Sequence, residues 1–363
     1  MYQNPEINGF YKTLVFKKAV KNYYNVLVGI IVSFLAVLFL SSCEVDDRLL
    51  SVDKNGQTVV ERFGQLRVEG SKLVDQNGRQ IQLRGMSSHG LQWYGRYANE
   101  DVIRWLRDDW NIQVWRAAMY LREDGYVNQR GLKFTVEQGV EAALKLGIYV
   151  IIDWHVHNDR DPRVYQELSI EFFREMSQKY GSYPNIIYEI CNEPNGDDVT
   201  WSGAIKPYAE AVIPVIREND PDNIIIVGTP SWSQHVDIAA LDPLNFPNIM
   251  YSLHFYAGTH GQELKDRVNR AVEKGLPIFV TECGTTQSSG GGGVFEKEFQ
   301  DWLSFLKKHG ISWVNWSVTN KGEDSGILRL IADREAKGGW TDNDLSQSGK
   351  FLRKILRNEI RIK

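Results

Sequence analysis

The chain has 363 residues, of which 42% are hydrophobic and 24% are charged. This composition is ordinary for a folded protein and excludes disorder over most of the chain. The formal net charge of −4 gives no indication of a nucleic-acid partner held through phosphate contacts. Eleven Trp and sixteen Tyr predict a large aromatic core, with some loop tryptophans free to stack on flat apolar faces such as those of sugar rings.

The first predicted element is an export signal. Four lysines between residues 12 and 21 precede the apolar run Val26 to Leu40, which ends in Leu40-Ser41-Ser42-Cys43. A basic region, an apolar core and small residues before a cleavage point are typical of a signal peptide. The Leu-Ser-Ser-Cys ending resembles the bacterial lipobox, which implies that Cys43 is lipidated and becomes the first residue of the mature protein.

An uncleaved membrane anchor is the alternative for this segment, since the apolar run reaches the short limit for a spanning helix. In either case we expect the remainder to lie outside the cytoplasm, attached to a membrane at the cell surface or the periplasmic face. We interpret residues 1–43 as a lipoprotein signal peptide and residues 44–63, which begin with several acidic residues, as a polar tether. Residues 64–363 are predicted to form one folded domain.

The two remaining cysteines, Cys191 and Cys283, are expected to be either two small buried thiols or a disulfide. A disulfide would require close and well-aligned Cβ atoms. No Cys-His cluster has the spacing of metal ligands, so we expect no metal and no other cofactor.

After the tether, residues 65–68 and 72–74 alternate and predict a hairpin. Short apolar strands then alternate with longer amphipathic stretches. The strands are predicted near residues 81–87, 113–119, 149–154, 186–191, 223–228, 249–255, 277–282 and 312–317. The helices are predicted near residues 100–109, 133–146, 165–180, 203–219, 234–241, 263–274, 295–309 and 346–358.

Eight strands, each followed by a helix, over about 300 residues are typical of a (β/α)8 TIM barrel, an α/β fold with a single domain. An open doubly wound sheet is the alternative, but no Gly-x-Gly-x-x-Gly follows the first strand. The run Gly290 to Gly293 is expected to be a flexible loop after the seventh strand.

Two carboxylates follow buried strands at places where an acid must be hydrogen-bonded, shifted in pKa or in use. Glu193 follows the run 186–191, and Glu282 ends the run 278–281. Functional groups of a barrel gather at the carboxyl ends of its strands. The predicted strand ends also deliver His89, Trp93, Arg116, Asp153, His155, Asn192, Trp232, His254, Tyr256, Trp316, Lys321 and Glu323.

These segments resemble those of a known family. From about Gln65 to Leu328 the chain is similar to glycoside hydrolase family 5, close to its bacterial endoglucanases. The segments that carry the resemblance are Leu83-Arg84-Gly85-Met86, Trp115-Arg116-Ala117-Ala118-Met119-Tyr120, Asp153-Trp154-His155, Tyr188-Glu189-Ile190-Cys191-Asn192-Glu193-Pro194, Ser252-Leu253-His254-Phe255-Tyr256, Val280-Thr281-Glu282 and Asn315-Trp316-Ser317. Cys191 and Cys283 stand where the family often has a small or an aromatic residue.

The resemblance implies that Glu193 is the general acid/base, which requires a raised pKa in the free enzyme. It implies that Glu282 is the nucleophile, which must stay ionised and therefore needs a cation nearby. Arg116 is the candidate for that cation. We interpret Glu189 as a structural acid.

The resemblance also implies the groups that bind sugar. Asn192 would bind the hydroxyl next to the reacting carbon, Tyr256 would bond to the nucleophile, and His254 to the acid/base or the sugar. His89 and His155 would bind hydroxyls of the sugar before the cut, over a floor formed by Trp316. Trp93 and Trp232 would stack further along, and Lys321 and Glu323 would reach hydroxyls from the last loop.

The sequence therefore predicts a monomeric, membrane-anchored hydrolase whose partner is a β-glucan polysaccharide or oligosaccharide, cut at internal β-1,4 bonds with retention. Retention predicts carboxyl groups about 5–5.5 Å apart, whereas inversion needs about 6.5–9.5 Å. Another β-glycan (mannan, xylan, lichenan or xyloglucan) is the alternative substrate. A surface glycan-binding protein without catalysis is the alternative class.

Overall fold

The computed structural model describes residues 47–332 and 335–362. The predicted signal peptide, Cys43 and residues 44–46 lie outside the described residues. Within the described ranges, no helix combines the length and the apolarity needed to cross a bilayer.

Eight parallel strands close into a barrel in the order of the chain, which confirms the predicted fold. The last strand pairs with the first, with Val314 opposite Gly85. A short antiparallel hairpin of β1 (Arg67–Glu69) and β2 (Lys72–Val74) precedes the barrel. The barrel strands are β3 (Arg84–Ser88), β4 (Val114–Tyr120), β5 (Tyr149–His155), β6 (Ile186–Glu189), β7 (Ile224–Val227), β8 (Ile249–Tyr256), β9 (Ile278–Gly284) and β10 (Trp313–Val318).

Every residue of these eight strands is buried, because side chains face either the barrel interior or the surrounding helices. This explains why their sequences are nearly continuous apolar runs. The described residues include the helices Val59–Phe63, Leu91–Tyr94, Glu100–Trp110, Leu132–Leu146, Gln166–Tyr180, Lys206–Arg217, Val236–Ala239, Gln262–Glu273, Glu296–His309 and Gln347–Leu356.

Local signals set several of the helix ends. The Asn99 side chain accepts a hydrogen bond from the Val102 amide and caps the helix that begins at Glu100. The helix ending at Leu146 is closed by Gly147 in the left-handed conformation, with φ of 67°, which glycine adopts without steric cost. Because the eight strands of the closed barrel run parallel, their carboxyl ends lie at one rim.

The predicted tether is wrong for residues 47–63, which belong to the folded domain. Thr58 forms a capping box with Glu61 and starts a one-turn helix. That helix buries Val59 and Phe63 in the hydrophobic core. Burial of these two apolar side chains outweighs the polar character of the segment around them. The domain described here therefore begins at Asp47 rather than at residue 64.

Cys191 and Cys283 are both free, buried thiols. Cys283 lies on β9, where its Sγ donates to the carbonyl of Val314 at 3.3 Å. The thiol alternative is therefore correct, and the disulfide alternative is wrong. Gly290 and Gly293, in the predicted flexible loop, are hydrogen-bonded to the loop after β10 through Ser325 and Asp324.

Candidate active site

Two carboxyl groups meet at the carboxyl-terminal rim of the barrel. Glu282 lies on β9, and Glu193 lies just beyond the end of β6. The amide of Glu193 donates to the carbonyl of Val156 at 3.0 Å, which fixes this segment beside the end of β5. An oxygen of each carboxylate and a ring nitrogen of His254 all lie within 4.8 Å of one another. Glu193 is 9% exposed and Glu282 is 5% exposed, so both carboxylates are largely buried.

Arg116 of β4 supplies the positive charge of the site. Its Nη1 lies 3.1 Å from Glu282 Oε2, its Nε 2.7 Å from Glu189 Oε2, and its Nη2 2.9 Å from Asp153 Oδ2. Nη2 also donates to Asn192 Oδ1 at 2.6 Å. Although burial opposes charge, the three carboxylates raise the pKa of Arg116 further above its ordinary value. One cation thus holds three buried acids and the amide of Asn192 in fixed positions.

The surroundings of Glu282 act on its pKa in opposite directions. Burial raises the pKa of Glu282, and the charge of Glu193 raises it further. His254, Arg116 and a hydrogen bond from Tyr256 act in the opposite direction and lower the pKa of Glu282. The upward effects outweigh the downward ones, and the pKa of Glu282 lies above its ordinary value.

Tyr256 and His254, both on β8, each contact one member of the pair. The Tyr256 hydroxyl donates to Glu282 Oε1 at 2.7 Å. Nδ1 of His254 lies 2.8 Å from Glu193 Oε1. Burial lowers the pKa of His254, but the nearby carboxylates of Glu189 and Glu193 outweigh it and raise the pKa to about 9.

Three more predicted residues line the cleft beside the acids. The ring of Trp316, on β10, lies 4.9 Å from the His89 ring and stacks on His155 at 5.5 Å. Nδ1 of His155 lies 2.6 Å from Asp153 Oδ2, and its Nε2 lies 3.3 Å from the Asn192 side-chain nitrogen. Burial lowers the pKa of His89 to about 3, so its ring is neutral at physiological pH.

The remaining predicted residues lie further out. Trp93 is 43% exposed, with its ring 5.9 Å from that of His89. Lys321 Nζ lies 2.8 Å from Glu323 Oε2, and the other oxygen of Glu323 lies 3.7 Å from His89 Nε2. Trp232 is 47% exposed and lies further along the rim, where its backbone amide donates to the carbonyl of Pro194 at 3.1 Å.

The loop that carries Trp232 has an unusual backbone. Ser231, Trp232 and Ser233 have φ of 57°, 56° and 56°, in the left-handed region that few non-glycine residues adopt. Ser233 Oγ donates to the carbonyl of Asn192 at 2.6 Å and accepts from the amide of Thr229 at 3.2 Å. The turn is therefore held on the segment that carries Glu193.

The sequence prediction left out Tyr120 and Thr281. The Tyr120 ring stacks on His155 at 4.1 Å and lies 5.3 Å from the Trp93 ring. Its position as an aromatic residue at the end of β4 was the available signal. Thr281 bonds to both His254 and Glu189, and no local pattern in the sequence distinguishes it from an ordinary buried strand threonine.

Glu193, His254 and Glu282 are also the residues that come close enough to hold a metal ion within the described ranges. The donor set fits a cation poorly. Both ring nitrogens of His254 already have partners, and the Glu282 oxygens accept hydrogen bonds from Arg116 and Tyr256. The permanent charge of Arg116 would also repel a second cation at this position.

A parallel barrel with two close carboxylates at the carboxyl ends of its strands, flanked by aromatic and hydroxyl-binding side chains, defines a glycoside hydrolase. The profile of a family described as Cellulase (glycosyl hydrolase family 5) matches residues 74–322. The chain belongs to this family.

Named relatives agree with this assignment. The chain is 53% identical over 308 residues to "Endoglucanase 5" of Pectobacterium carotovorum subsp. carotovorum, covering 85% of this chain and 60% of the relative. It is 52% identical over 332 residues to "Endoglucanase A" of Evansella cellulosilytica, covering 92% of this chain and 66% of the relative. The chain thus spans less than two thirds of the length of both of these relatives.

A solved structure also agrees with the assignment to this family. A variant of the catalytic domain of endoglucanase Cel5A of Thermobifida fusca, solved in complex with cellotetraose, superposes with a TM-score of 0.78 at 36% identity. That comparison covers 82% of this chain and 99% of the other.

Proposed function

We propose that this domain is a retaining endo-β-1,4-glucanase, with Glu282 as nucleophile and Glu193 as general acid/base. The observation that carries the proposal is the approach of the two carboxylates, whose nearest oxygens lie within 4.8 Å. This close approach favours the separation of about 5–5.5 Å that is typical of retaining enzymes over the about 6.5–9.5 Å that inverting enzymes need to admit a water.

The reaction takes place in two displacements. In the first, an oxygen of Glu282 bonds to the anomeric carbon while the glycosidic bond breaks and Glu193 gives its proton to the departing oxygen. In the second, Glu193 takes a proton from water, the water oxygen bonds to the anomeric carbon, and the bond to Glu282 breaks. Two inversions at the same carbon give net retention.

The contacts of the two acids support this division of roles. Arg116 and Tyr256 both donate to Glu282, and donors favour the ionised form that a nucleophile requires. Glu193 has no arginine or lysine partner among its described ion pairs and contacts His254 instead. A histidine is a partner with which a proton is readily shared, as an acid/base needs.

The residues around the pair have the chemistry to hold a sugar. Asn192 directly precedes Glu193 and is oriented by Arg116 and His155, so its amide is placed for the hydroxyl next to the reacting carbon. Trp316 offers a flat face beside His89 and His155, which bind hydroxyls at its edge. Exposed aromatic faces at Trp93 and Trp232 extend the cleft beyond the reacting sugar, which favours a polymeric substrate.

The assignment to β-1,4-glucan rests on relatives that are named endoglucanases and on one solved with cellotetraose. The same pair of acids would also cut mannan, xylan, lichenan or xyloglucan. Purified protein should therefore be compared on carboxymethyl cellulose and on these four glycans, with release of reducing ends as the readout. We expect the highest kcat/KM on the β-1,4-glucan.

The decisive experiment is hydrolysis of defined cello-oligosaccharides followed by NMR, which identifies the newly formed anomer before it equilibrates. We expect the β anomer first and cleavage at internal bonds. An α anomer appearing first would exclude the double displacement. Hydrolysis by Glu282→Ala at the rate of the parent would instead favour a glycan-binding protein with a contaminating activity.

We further propose that the domain acts outside the cytoplasm as a monomer anchored through a lipid on Cys43. The support is the order of basic residues, apolar run and Leu40-Ser41-Ser42-Cys43 in the sequence. Expression in a bacterium with labelled palmitate should label the parent and not Cys43→Ser, with Cys283→Ser as the control. Labelling of Cys43→Ser at the parent level would contradict the anchor.

A further inference from the structure

The hydroxyl of Thr281 stands at the centre of a buried chain of hydrogen bonds. Its Oγ1 lies 2.6 Å from Glu189 Oε1 and 2.9 Å from His254 Nε2, and it also contacts the hydroxyl of Ser252. On the far side of the imidazole, Nδ1 of His254 lies 2.8 Å from Glu193 Oε1. The chain therefore runs from Glu189 through Thr281 and His254 to Glu193, and all of its members are buried.

The hydrogens of this chain can be counted. Burial raises the pKa of Glu189, but Arg116 at 2.7 Å and the bonds to Glu189 outweigh it and lower the pKa below the ordinary value. Glu189 is therefore ionised and can only accept. The single hydrogen of the Thr281 hydroxyl must point to Glu189, which leaves its two lone pairs for Ser252 and for His254.

The direction of these hydrogen bonds determines which ring nitrogen of His254 carries a hydrogen. Because Thr281 can only accept from His254, the Nε2 atom must carry a hydrogen. Nδ1 then either accepts a proton from Glu193 or donates one to it, across the same 2.8 Å contact. One movable proton thus lies between Nδ1 of His254 and Oε1 of Glu193, while the hydrogen on Nε2 stays in place.

We propose that Glu189 and Thr281 are positioning residues that keep a hydrogen on Nε2 of His254, so that Nδ1 and Glu193 share the proton delivered to the departing glycosidic oxygen. This rests on the proposed function. When Glu193 gives up its proton to that oxygen, its new negative charge faces the ring edge of His254. When Glu193 later takes a proton from water, Glu193 and His254 regain the proton that was given to the glycosidic oxygen. The protons therefore balance over one turnover.

Several charged groups surround the imidazole and influence the same proton. Glu189, Glu193 and Glu282 favour the charged ring. His155 and His260 also lie close enough to His254 for their charges to interact, as does Asp153. Arg116 does not contact the ring and acts by holding Glu189 and Glu282. Of these groups, only Glu189 determines the orientation of the Thr281 hydroxyl.

The test compares three variants. Thr281→Val removes the hydroxyl, Thr281→Ser keeps it, and Ser252→Ala removes another buried hydroxyl that touches the same oxygen. We expect Thr281→Val to lower kcat/KM on a nitrophenyl cellobioside about tenfold or more, and on a dinitrophenyl cellobioside by less than about threefold, because the second leaving group needs little protonation. Thr281→Ser and Ser252→Ala are expected to keep the leaving-group dependence of the parent. If kcat/KM depends on the leaving group equally in Thr281→Val and in the parent, the proposal is overturned.

A second measurement does not depend on catalysis. Nitrogen NMR of histidine-labelled protein, recorded above the His254 pKa of about 9, reports which ring nitrogen keeps the hydrogen. We expect Nε2 in the parent and a shift towards Nδ1 in Thr281→Val. A neutral His254 with its hydrogen on Nδ1 in the parent would overturn the proposal even if Thr281→Val does not fold. A parent that cleaves neither cellobiosides nor cello-oligosaccharides would instead contradict the proposed function, and the NMR result would still decide the role of Thr281.

Discussion

Nη1 of Arg116 lies 3.1 Å from Oε2 of Glu282, although the two residues are 166 positions apart in the chain. The barrel brings them together by placing β4 three strands away from β9 through the closure of β10 on β3. The guanidinium gives Glu282 a fixed orientation and a counter-charge in a buried site. Four predictions follow from this arrangement and from its neighbours.

Arg116 is expected to be essential for stability as well as for activity. Arg116→Met leaves Asp153, Glu189 and Glu282 buried without a cation, which costs about 3–5 kcal/mol in the free energy of unfolding. The loss should grow as the pH rises, because the unpaired carboxyls have raised pKa values and favour the protonated form when folded. Urea unfolding at two pH values measures both effects.

The control for Arg116 is Arg267→Ala, which removes an exposed pair with Glu263 at 2.8 Å. A surface pair of this kind contributes less than about 1 kcal/mol. If Arg116→Met lowers the free energy of unfolding no more than Arg267→Ala does, the buried carboxylates are not stabilised by Arg116.

The Tyr256 hydroxyl is expected to set the acid side of the pH profile. Its hydrogen bond to Glu282 lowers the pKa of that carboxyl, so Tyr256→Phe raises the pKa. Since the nucleophile must be ionised, the acid limb of kcat/KM should move to higher pH by about one unit, as expected for one charged hydrogen bond. Tyr149→Phe, which removes a hydroxyl bonded to the Gly64 carbonyl, should leave the limb in place. An unmoved limb in Tyr256→Phe would mean that another group controls it.

Azide is expected to distinguish the two carboxylates. In Glu193→Ala, kcat/KM on a nitrophenyl cellobioside should fall about a hundred- to ten-thousandfold. Added azide should then replace water in the second step and give the β-glycosyl azide. In Glu282→Ala the space left by the carboxylate should admit azide directly, with one inversion and the α product. NMR of the glycosyl azides identifies their anomeric configuration. An α azide from Glu193→Ala together with a β azide from Glu282→Ala would reverse the two roles.

The left-handed turn that carries Trp232 is expected to depend on Ser233. Ser233→Ala leaves the carbonyl of Asn192 and the amide of Thr229 without their buried partner, at a cost of about 1–3 kcal/mol. Because the turn rests on the segment of Glu193, kcat/KM on cello-oligosaccharides should fall as well. Ser304→Ala removes a helical serine hydroxyl bonded to the Gln300 carbonyl. This variant should change neither the free energy of unfolding nor kcat/KM by much. Equal behaviour of the two variants would show that the turn is held by other contacts.

Much of the fold followed from the sequence because its signals are local. Strands that are buried on both faces appear as short apolar runs, and their alternation with amphipathic helices predicts the barrel. The error at residues 47–63 has the same origin: local composition there is polar, and only the folded chain reveals that Val59 and Phe63 find a core to pack against.

The sequence alone determined which residues reach the rim, because a side chain that follows a barrel strand emerges at its carboxyl end whatever the register. Only the tertiary structure decided which of these side chains touch. Strand register and barrel closure set Arg116 against three acids and Thr281 between His254 and Glu189, and these distances depend on residues from four or more strands at once. The three left-handed residues around Trp232 are likewise invisible in a Ser-Trp-Ser sequence, since contacts with distant backbone hold them there.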